Sequence, residues 1–198
     1  MTARIVLASS NPGKIREIQA LLPQFRIIPQ CDFKVPEVEE IGLTFVENAI
    51  IKARNAARLA NLPAIADDSG IEVDALNGAP GIRSARYAGE AASDLDNLNK
   101  LLGCMQTVPD ERRGARFRCV IVLLRHAEDP CPIIAEGAWE GILLRQARGT
   151  NGFGYDPIFW LPELECSSAE LAPERKNQIS HRASALRKMA ASLSALNL

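Results

Sequence analysis

The chain has 198 residues, with 23 Lys plus Arg against 24 Asp plus Glu. That length buries an ample core without staples and fits a single domain of one or two lobes over residues 1–198, and the balanced charge offers no basic face to a nucleic acid. No apolar run approaches the roughly 20 residues of a membrane span, and Met1-Thr2-Ala3-Arg4 runs into an apolar strand without a signal segment. Five cysteines (Cys31, Cys104, Cys119, Cys131, Cys166) form no C-x-x-C pair and read as reduced, mostly structural thiols of a cytoplasmic protein.

Arg4-Ile5-Val6-Leu7-Ala8 reads as a buried first strand. Ser9-Ser10-Asn11-Pro12-Gly13-Lys14 follows, then the helical pattern Ile15, Ile18, Leu21, Leu22, with Asn11 as N-cap and Pro12 at the first helical position. A polar turn feeding a helix N-terminus suits an anion, and Lys14 adds a full charge, although the P-loop spacing is absent. A short strand at Arg26-Ile27-Ile28 precedes an irregular acidic segment, Val35 to Gly42. Thr44-Phe45-Val46-Glu47 then matches a capping box, and the helix that follows buries Val46, Ala49, Ile50, Ala53 and Ala57. Asn48, Lys52 and Asn55 share its polar stripe, which reads as a solvated face, with Lys52 reaching a cleft as the alternative.

Ala64-Ile65-Ala66-Asp67-Asp68-Ser69-Gly70 is the stretch around which the rest is arranged. An apolar strand ends in two adjacent carboxylates, which repel each other unless a cation or a proton lies between them. One reading is a Mg²⁺ site at a strand end; the other is an acidic turn whose Asp and Ser bond their own backbone. Ile71 to Leu76 reads as a separate, half-buried strand, and Ile82 to Gly89 as a loop. Ser93 caps a helix with Leu95, Leu98, Leu101, Leu102 and Met105 on its inner side, and Asp94 and Asp96 read as its capping acids.

Ala115 to Leu124 is the clearest long strand. Ile133 to Leu144 reads as a strand, a glycine break and another strand, paired antiparallel with it. Gly149-Thr150-Asn151-Gly152-Phe153-Gly154-Tyr155-Asp156-Pro157 suits close backbone approach to a ligand, with Phe153 and Tyr155 as stacking faces; a hairpin whose aromatics fill the core is the other reading. Ser180 caps a closing helix marked by Leu186, Met189, Ala190, Leu193 and Leu196, which places His181 and Arg182 where the dipole disfavours cations. With Lys176 they form a basic cluster that needs an anionic or carbonyl partner.

In order and spacing these stretches resemble the inosine/xanthosine triphosphate pyrophosphatase family. The matching segments are Ser9 to Lys14, Glu39 to Ala49, Ala66 to Gly70, Gly78 to Ile82 with Ser84 to Tyr87, Gly152 to Pro157, Ala169 to Leu171, and Lys176 to Arg182. The resemblance implies an α/β fold of two lobes, a long twisted mixed sheet flanked by helices with a central cleft, in a homodimer. It implies Mg²⁺-dependent hydrolysis of a non-standard purine nucleoside triphosphate (ITP, dITP or XTP) to the monophosphate and pyrophosphate. By motif match Glu39 and Asp68 are metal-associated, and Asp68 is also the proton acceptor. Ser9, Ser10, Asn11, Pro12, Gly13, Lys14 and Lys176 meet the phosphates, and Ser69, Phe153, Gly154, Tyr155, Asp156, His181 and Arg182 complete the substrate site.

Asp67, as a second acid or base, and Lys52 stand as further candidates. Arg182 and the backbone N–H groups of Gly154 to Asp156 are the expected donors to a base carbonyl at C6, and Lys14 and Lys176 are expected on a solvated surface. The alternatives are a Maf-like pyrophosphatase of different base preference, a non-catalytic nucleotide sensor, and an aspartic protease whose Asp68-Ser69-Gly70 triplets meet in a dimer.

Overall fold

The computed structural model describes residues 3–194. Within them seven strands form one mixed sheet in the order β2-β1-β3-β4-β5-β6-β7. They are β1 (Arg4–Leu7), β2 (Arg26–Pro29), β3 (Ala64–Val73), β4 (Gly114–Leu124), β5 (Ile133–Leu143), β6 (Phe159–Leu161) and β7 (Cys166–Ser167). The α-helices are α1 (Pro12–Leu21), α2 (Phe45–Ala60), α3 (Asp94–Cys104), α4 (Pro173–Ile179) and α5 (His181–Ser194). β1 runs parallel to both β2 and β3, whereas β6 is antiparallel to β5 and to β7. No helix among the described residues is long and apolar enough to cross a membrane. Leu196, expected on the last helix, lies outside the described residues.

The chain folds as two compact units. The first takes the stretch ending at Asp68, then Cys119–Gly137 and the stretch from Arg182; the second takes Ser69–Arg118 and Ala138–His181. In the first unit, alternation along the strands separates two cores. Ile5, Leu7 and Ile65 pack with Ile18 and Leu22 of the α1 region and with Leu186 and Met189 of α5. Val6, Ala64 and Ala66 pack instead with Ala49, Ala53, Ala56 and Ala57 of α2, small side chains that let the helix lie close. The second unit is built around Ile71, Val73, Leu98, Leu101, Met105, Phe117 and Phe159.

The caps follow the sequence. Asn11 Oδ1 accepts from the N–H groups of Gly13 and Lys14 at 2.8 and 3.1 Å, with Pro12 opening α1. Thr44 Oγ1 accepts from Glu47 N at 3.3 Å, and the Glu47 carboxylate returns to Leu43 N and the Thr44 hydroxyl. Those donors hold Glu47 below its usual pKa, the Thr44 hydroxyl most of all. Ser93 and Asp96 form a reciprocal capping box on α3.

Four expectations are corrected. β3 does not stop at the acidic pair but continues through Gly70 to Val73. β5 is one strand with Gly137 and Gly141 inside it. Gly141 is a point of close approach, since a Cβ there would stand 2.6 Å from both the Phe159 ring and the Trp160 carbonyl oxygen. Leu95 is 65% exposed, because α3 turns Leu98 and Leu101 inward. The cysteines are free thiols, but Cys31, Cys104 and Cys131 are exposed, so only Cys119 is fully in the core.

Gly141→Ala is therefore expected to force β5 from β6 and to cost about 1–3 kcal/mol, the usual scale of overpacking. Thermal denaturation of the variant checks this; an unchanged melting temperature would mean that the strands have room to part.

Candidate active site

In the first unit the geometry starts from the pleat of β3. Asp67 shares the strand face of Ile65, and Asp68 the face of Ala64 and Ala66. Each acid therefore meets the helices that pack on its own side. Asp67, 1% exposed, receives Lys14 Nζ of α1 at 2.6 Å on Oδ1. Its Oδ2 accepts from Nε and Nη2 of Arg182, on α5, both at 3.1 Å. Arg182 is itself 1% exposed and donates its Nη1 to Glu17 of α1. Burial works to raise the pKa of Asp67, but the charges of Arg182, Lys14 and Lys52 together hold it well below the usual carboxylate range.

Asp68 has a different partner set. Its Oδ1 receives Lys52 Nζ of α2 at 2.6 Å, and the same ammonium reaches Glu40 Oε1 at 2.9 Å. Its Oδ2 is buried with no hydrogen-bond partner among the described residues. Burial pushes the Asp68 carboxyl up and outweighs the opposing charge of Lys52. Lys52 stays protonated: its own desolvation is overcome by Asp68, then Glu40 and Asp67.

The polar stripe of α2 is thus no solvated face. Asn48 Oδ1 accepts from Gly42 N at 2.8 Å, Lys52 holds Glu40, and Asn55 Nδ2 donates to the Pro36 carbonyl at 3.1 Å. Three side chains at helical spacing fasten the irregular 36–42 segment along the helix. Glu40 was not a sequence candidate; its signal was that a strap along the stripe brings an acid opposite Lys52. Glu39, which was a candidate, is exposed and takes no part in these ion pairs.

In the second unit the glycine-rich loop is pinned from below. Gly152, Gly154 and Gly149 all have positive φ, and a Cβ on Gly152 would stand 2.0 Å from Asp156 Oδ2. Asp156, 2% exposed, accepts from Phe153 N at 2.9 Å, from the Ser168 hydroxyl at 2.9 Å and from Lys176 Nζ at 2.6 Å. Lys176 lies 4.8 Å from the Phe153 ring centroid. Tyr155 is buried and donates its hydroxyl to the Ser84 carbonyl at 2.8 Å; burial pushes its pKa up. His181 is buried and stacks on Phe117 at 4.8 Å between centroids.

Together these features give a protonatable buried carboxylate, a capped helix N-terminus with a lysine beside it, and a glycine-rich loop carrying a half-buried aromatic. The sequence profile of the Ham1 family matches residues 5–192. The chain belongs to the Ham1 family. It is 63% identical over 188 residues, 94% of each chain, to the dITP/XTP pyrophosphatase of Vibrio cholerae. Its fold matches a HAM1 protein of Coxiella burnetii at TM-score 0.91 and 50% identity, covering 98% of this chain and all of that one. The Ham1 protein of Staphylococcus aureus follows at TM-score 0.86 and 44% identity, over 97% and 98% of the two chains.

The Ham1 chain revises several sequence candidates. Tyr155 belongs to the core and offers no free stacking face, because its ring packs with Ile158 and Phe159. Neither Lys14 nor Lys176 is on a solvated surface: their side chains are 17% and 7% exposed, against buried Asp67 and Asp156. Arg182 turns its donors onto Asp67 and Glu17 instead of into an open site. Asp67 is a poor general base, since two close cations hold it ionised. Ser9 and Ser10 sit where expected before α1, half-buried and exposed, with Ser9 Oγ accepting from Asn11 N at 3.2 Å. Ser69 is half-buried on β3.

Two outcomes follow. Lys176→Met strands a buried carboxylate and is expected to cost about 3–5 kcal/mol, whereas Lys14→Met costs less because Asp67 keeps Arg182. Chemical denaturation of both variants reads the difference, and equal losses would contradict the inequality. The second concerns pH. Asp67 has a depressed folded pKa, so its stabilisation is complete above the ordinary carboxylate pKa of about 4 and drains away as pH falls through the folded value. The stability gap between wild type and Asp67→Asn should be widest near neutrality and narrow on acidification. A gap that widens in acid would reverse the assignment.

Proposed function

We propose that this chain hydrolyses non-standard purine nucleoside triphosphates (ITP, dITP and XTP) to the monophosphate and pyrophosphate, clearing them from the nucleotide pool. The observation that carries the chemistry is Asp68: a buried carboxylate with a raised pKa, one oxygen clamped by Lys52 and the other without a hydrogen-bond partner among the described residues. The relatives named dITP/XTP pyrophosphatase supply the substrate class.

Among the described residues no three His, Cys, Asp or Glu side chains gather as a metal cage. Mg²⁺ takes one or two carboxylates and completes its shell with waters and substrate phosphate oxygens. Asp68 fits as a carboxylate that would hold the ion through one of its waters, which leaves the buried Oδ2 to act as the base. Glu39 fits as the second, uncommitted and adjacent to Glu40, which Lys52 ties to Asp68. When bound, Mg²⁺ supplies charge neutralisation on the phosphate oxygens.

The chain's own residues do the rest. Lys14 and the N-terminal turn of α1, from Ser9 to Gly13, receive phosphate through charge, backbone N–H groups and dipole. Lys52 fixes the Asp68 carboxylate so that Oδ2 takes the proton of the attacking water as pyrophosphate leaves in line. Phe153 supplies the stacking face for the purine, with Ser69 and the Gly154 backbone beside the substrate. Asp156, Lys176 and Tyr155 act from behind by fixing that loop, and Arg182 by keeping Asp67 ionised; His181 acts through its stack. The donor to the base carbonyl at C6 is the Tyr155 N–H, since Arg182 is committed to carboxylates, the Gly154 N–H to Asp94 and the Asp156 N–H to the Phe153 carbonyl. We further place the enzyme in the cytoplasm, as a homodimer.

Asp68→Asn is expected to lower kcat on ITP by about 10²-fold or more, with a loss of stability limited because Lys52 keeps Glu40 as its partner. Pyrophosphate release from ITP with Mg²⁺, its loss on adding EDTA, and a much lower rate on ATP complete the test. Wild-type turnover in Asp68→Asn, or activity that survives EDTA, would overturn the assignment; failure to release pyrophosphate at all would favour a sensor.

A further inference from the structure

Asp94 stands at the first position of α3, where an acid serves a helix N-terminus. Its side chain does something else as well. Oδ2 accepts a 2.8 Å hydrogen bond from the backbone N–H of Gly154, sixty residues away in sequence. Gly154 is held at φ +61°, a conformation with little intrinsic preference to keep it there.

The neighbouring residues of the loop are fixed from the buried side. Phe153 N is on Asp156, Tyr155 Oη is on Ser84, and Asp156 is on Lys176 and Ser168. The peptide joining Phe153 to Gly154 is the link that the exposed Asp94 holds. That peptide sets how the Phe153 ring is presented. α3 is a firm base for the tie, since Leu98 and Leu101 anchor it in the core and Asn97 ties it to the 85–88 segment.

We infer that Asp94 is a positioning residue for substrate recognition: by accepting from Gly154 N–H it fixes the orientation of Phe153, and so governs affinity for the purine base without touching it. The inference rests on the reading of Phe153 as the base platform. It makes a charge-assisted hydrogen bond between a surface helix and a glycine peptide a determinant of KM.

The test uses steady-state kinetics on ITP with Mg²⁺ for four variants. Asp94→Ala should raise KM about 10-fold, the scale of one lost charge-assisted hydrogen bond, with kcat within about 2-fold and a nearly unchanged melting temperature. Asp94→Asn keeps an oxygen acceptor and should restore KM to within about 3-fold of wild type. Asp96→Ala breaks the capping box of the same helix without reaching the loop; it should lower the melting temperature and leave KM alone. Phe153→Ala should raise KM at least as much as Asp94→Ala.

If Phe153→Ala raises KM and Asp94→Ala does not, the positioning role is overturned and the platform stands. If Phe153→Ala leaves KM unchanged, the platform reading fails and takes this role with it. Equal KM increases in Asp94→Ala and Asp96→Ala would assign the effect to helix stability and overturn the inference.

Discussion

Two carboxylates one peptide apart cannot share an environment inside a protein without a large repulsive cost, and β3 resolves this by geometry. Successive side chains on a strand leave opposite faces, so Asp67 and Asp68 are driven into different cores. The separation lets one be ionised by nearby cations while the other is pushed towards protonation by burial. A turn at this point, one of the two readings the sequence allows, would not impose that separation. The electrostatic asymmetry of the pair is therefore a consequence of the strand continuing through Gly70.

Everything else in the first unit serves to deliver cations to the correct face. α1 and α5 pack on the Ile65 side and bring Lys14 and Arg182 to Asp67; α2 packs on the Ala66 side and brings Lys52 to Asp68. The alanines of α2 matter here, because a helix kept at a distance by larger side chains would not place an ammonium 2.6 Å from the strand. Buried ion pairs contribute little net stability against an apolar equivalent, yet losing one partner is expensive. Such networks fix one arrangement more than they raise the melting point, which is what a site with two carboxylates in different protonation tendencies requires.

Local features of this architecture were legible in the sequence because their causes are local. Asn11 with Pro12, Thr44 with Glu47 and Ser93 with Asp96 each announce a helix start within four residues, and the structure keeps all three. Illegible were the partners. Arg182 lies 115 residues from Asp67, and nothing in its own neighbourhood says that it faces a carboxylate from Glu17 as well. The stripe Asn48, Lys52, Asn55 is a solvated face by pattern; it becomes a strap only because residues 36–42 have no regular structure and need donors and acceptors for their backbone. Lys176 and Tyr155 read as ligand groups because their chemistry suits a ligand, while their burial depends on a loop whose glycines let the backbone fold over Asp156.

The second unit uses the same device in another setting. A buried carboxylate, Asp156, is satisfied by a lysine, a hydroxyl and a backbone amide, and the lysine also sits against the ring of Phe153. A cation beside an aromatic ring polarises and steadies it, so the half-buried Phe153 ring inherits order from the buried Asp156–Lys176 pair. This explains why a basic residue is needed there even without a phosphate to bind: removing Lys176 would leave Asp156 charged in the interior and Phe153 without its support. In the first unit the same balance leaves the buried Asp68 Oδ2 without a hydrogen-bond partner among the described residues, because Lys52 occupies only the other oxygen.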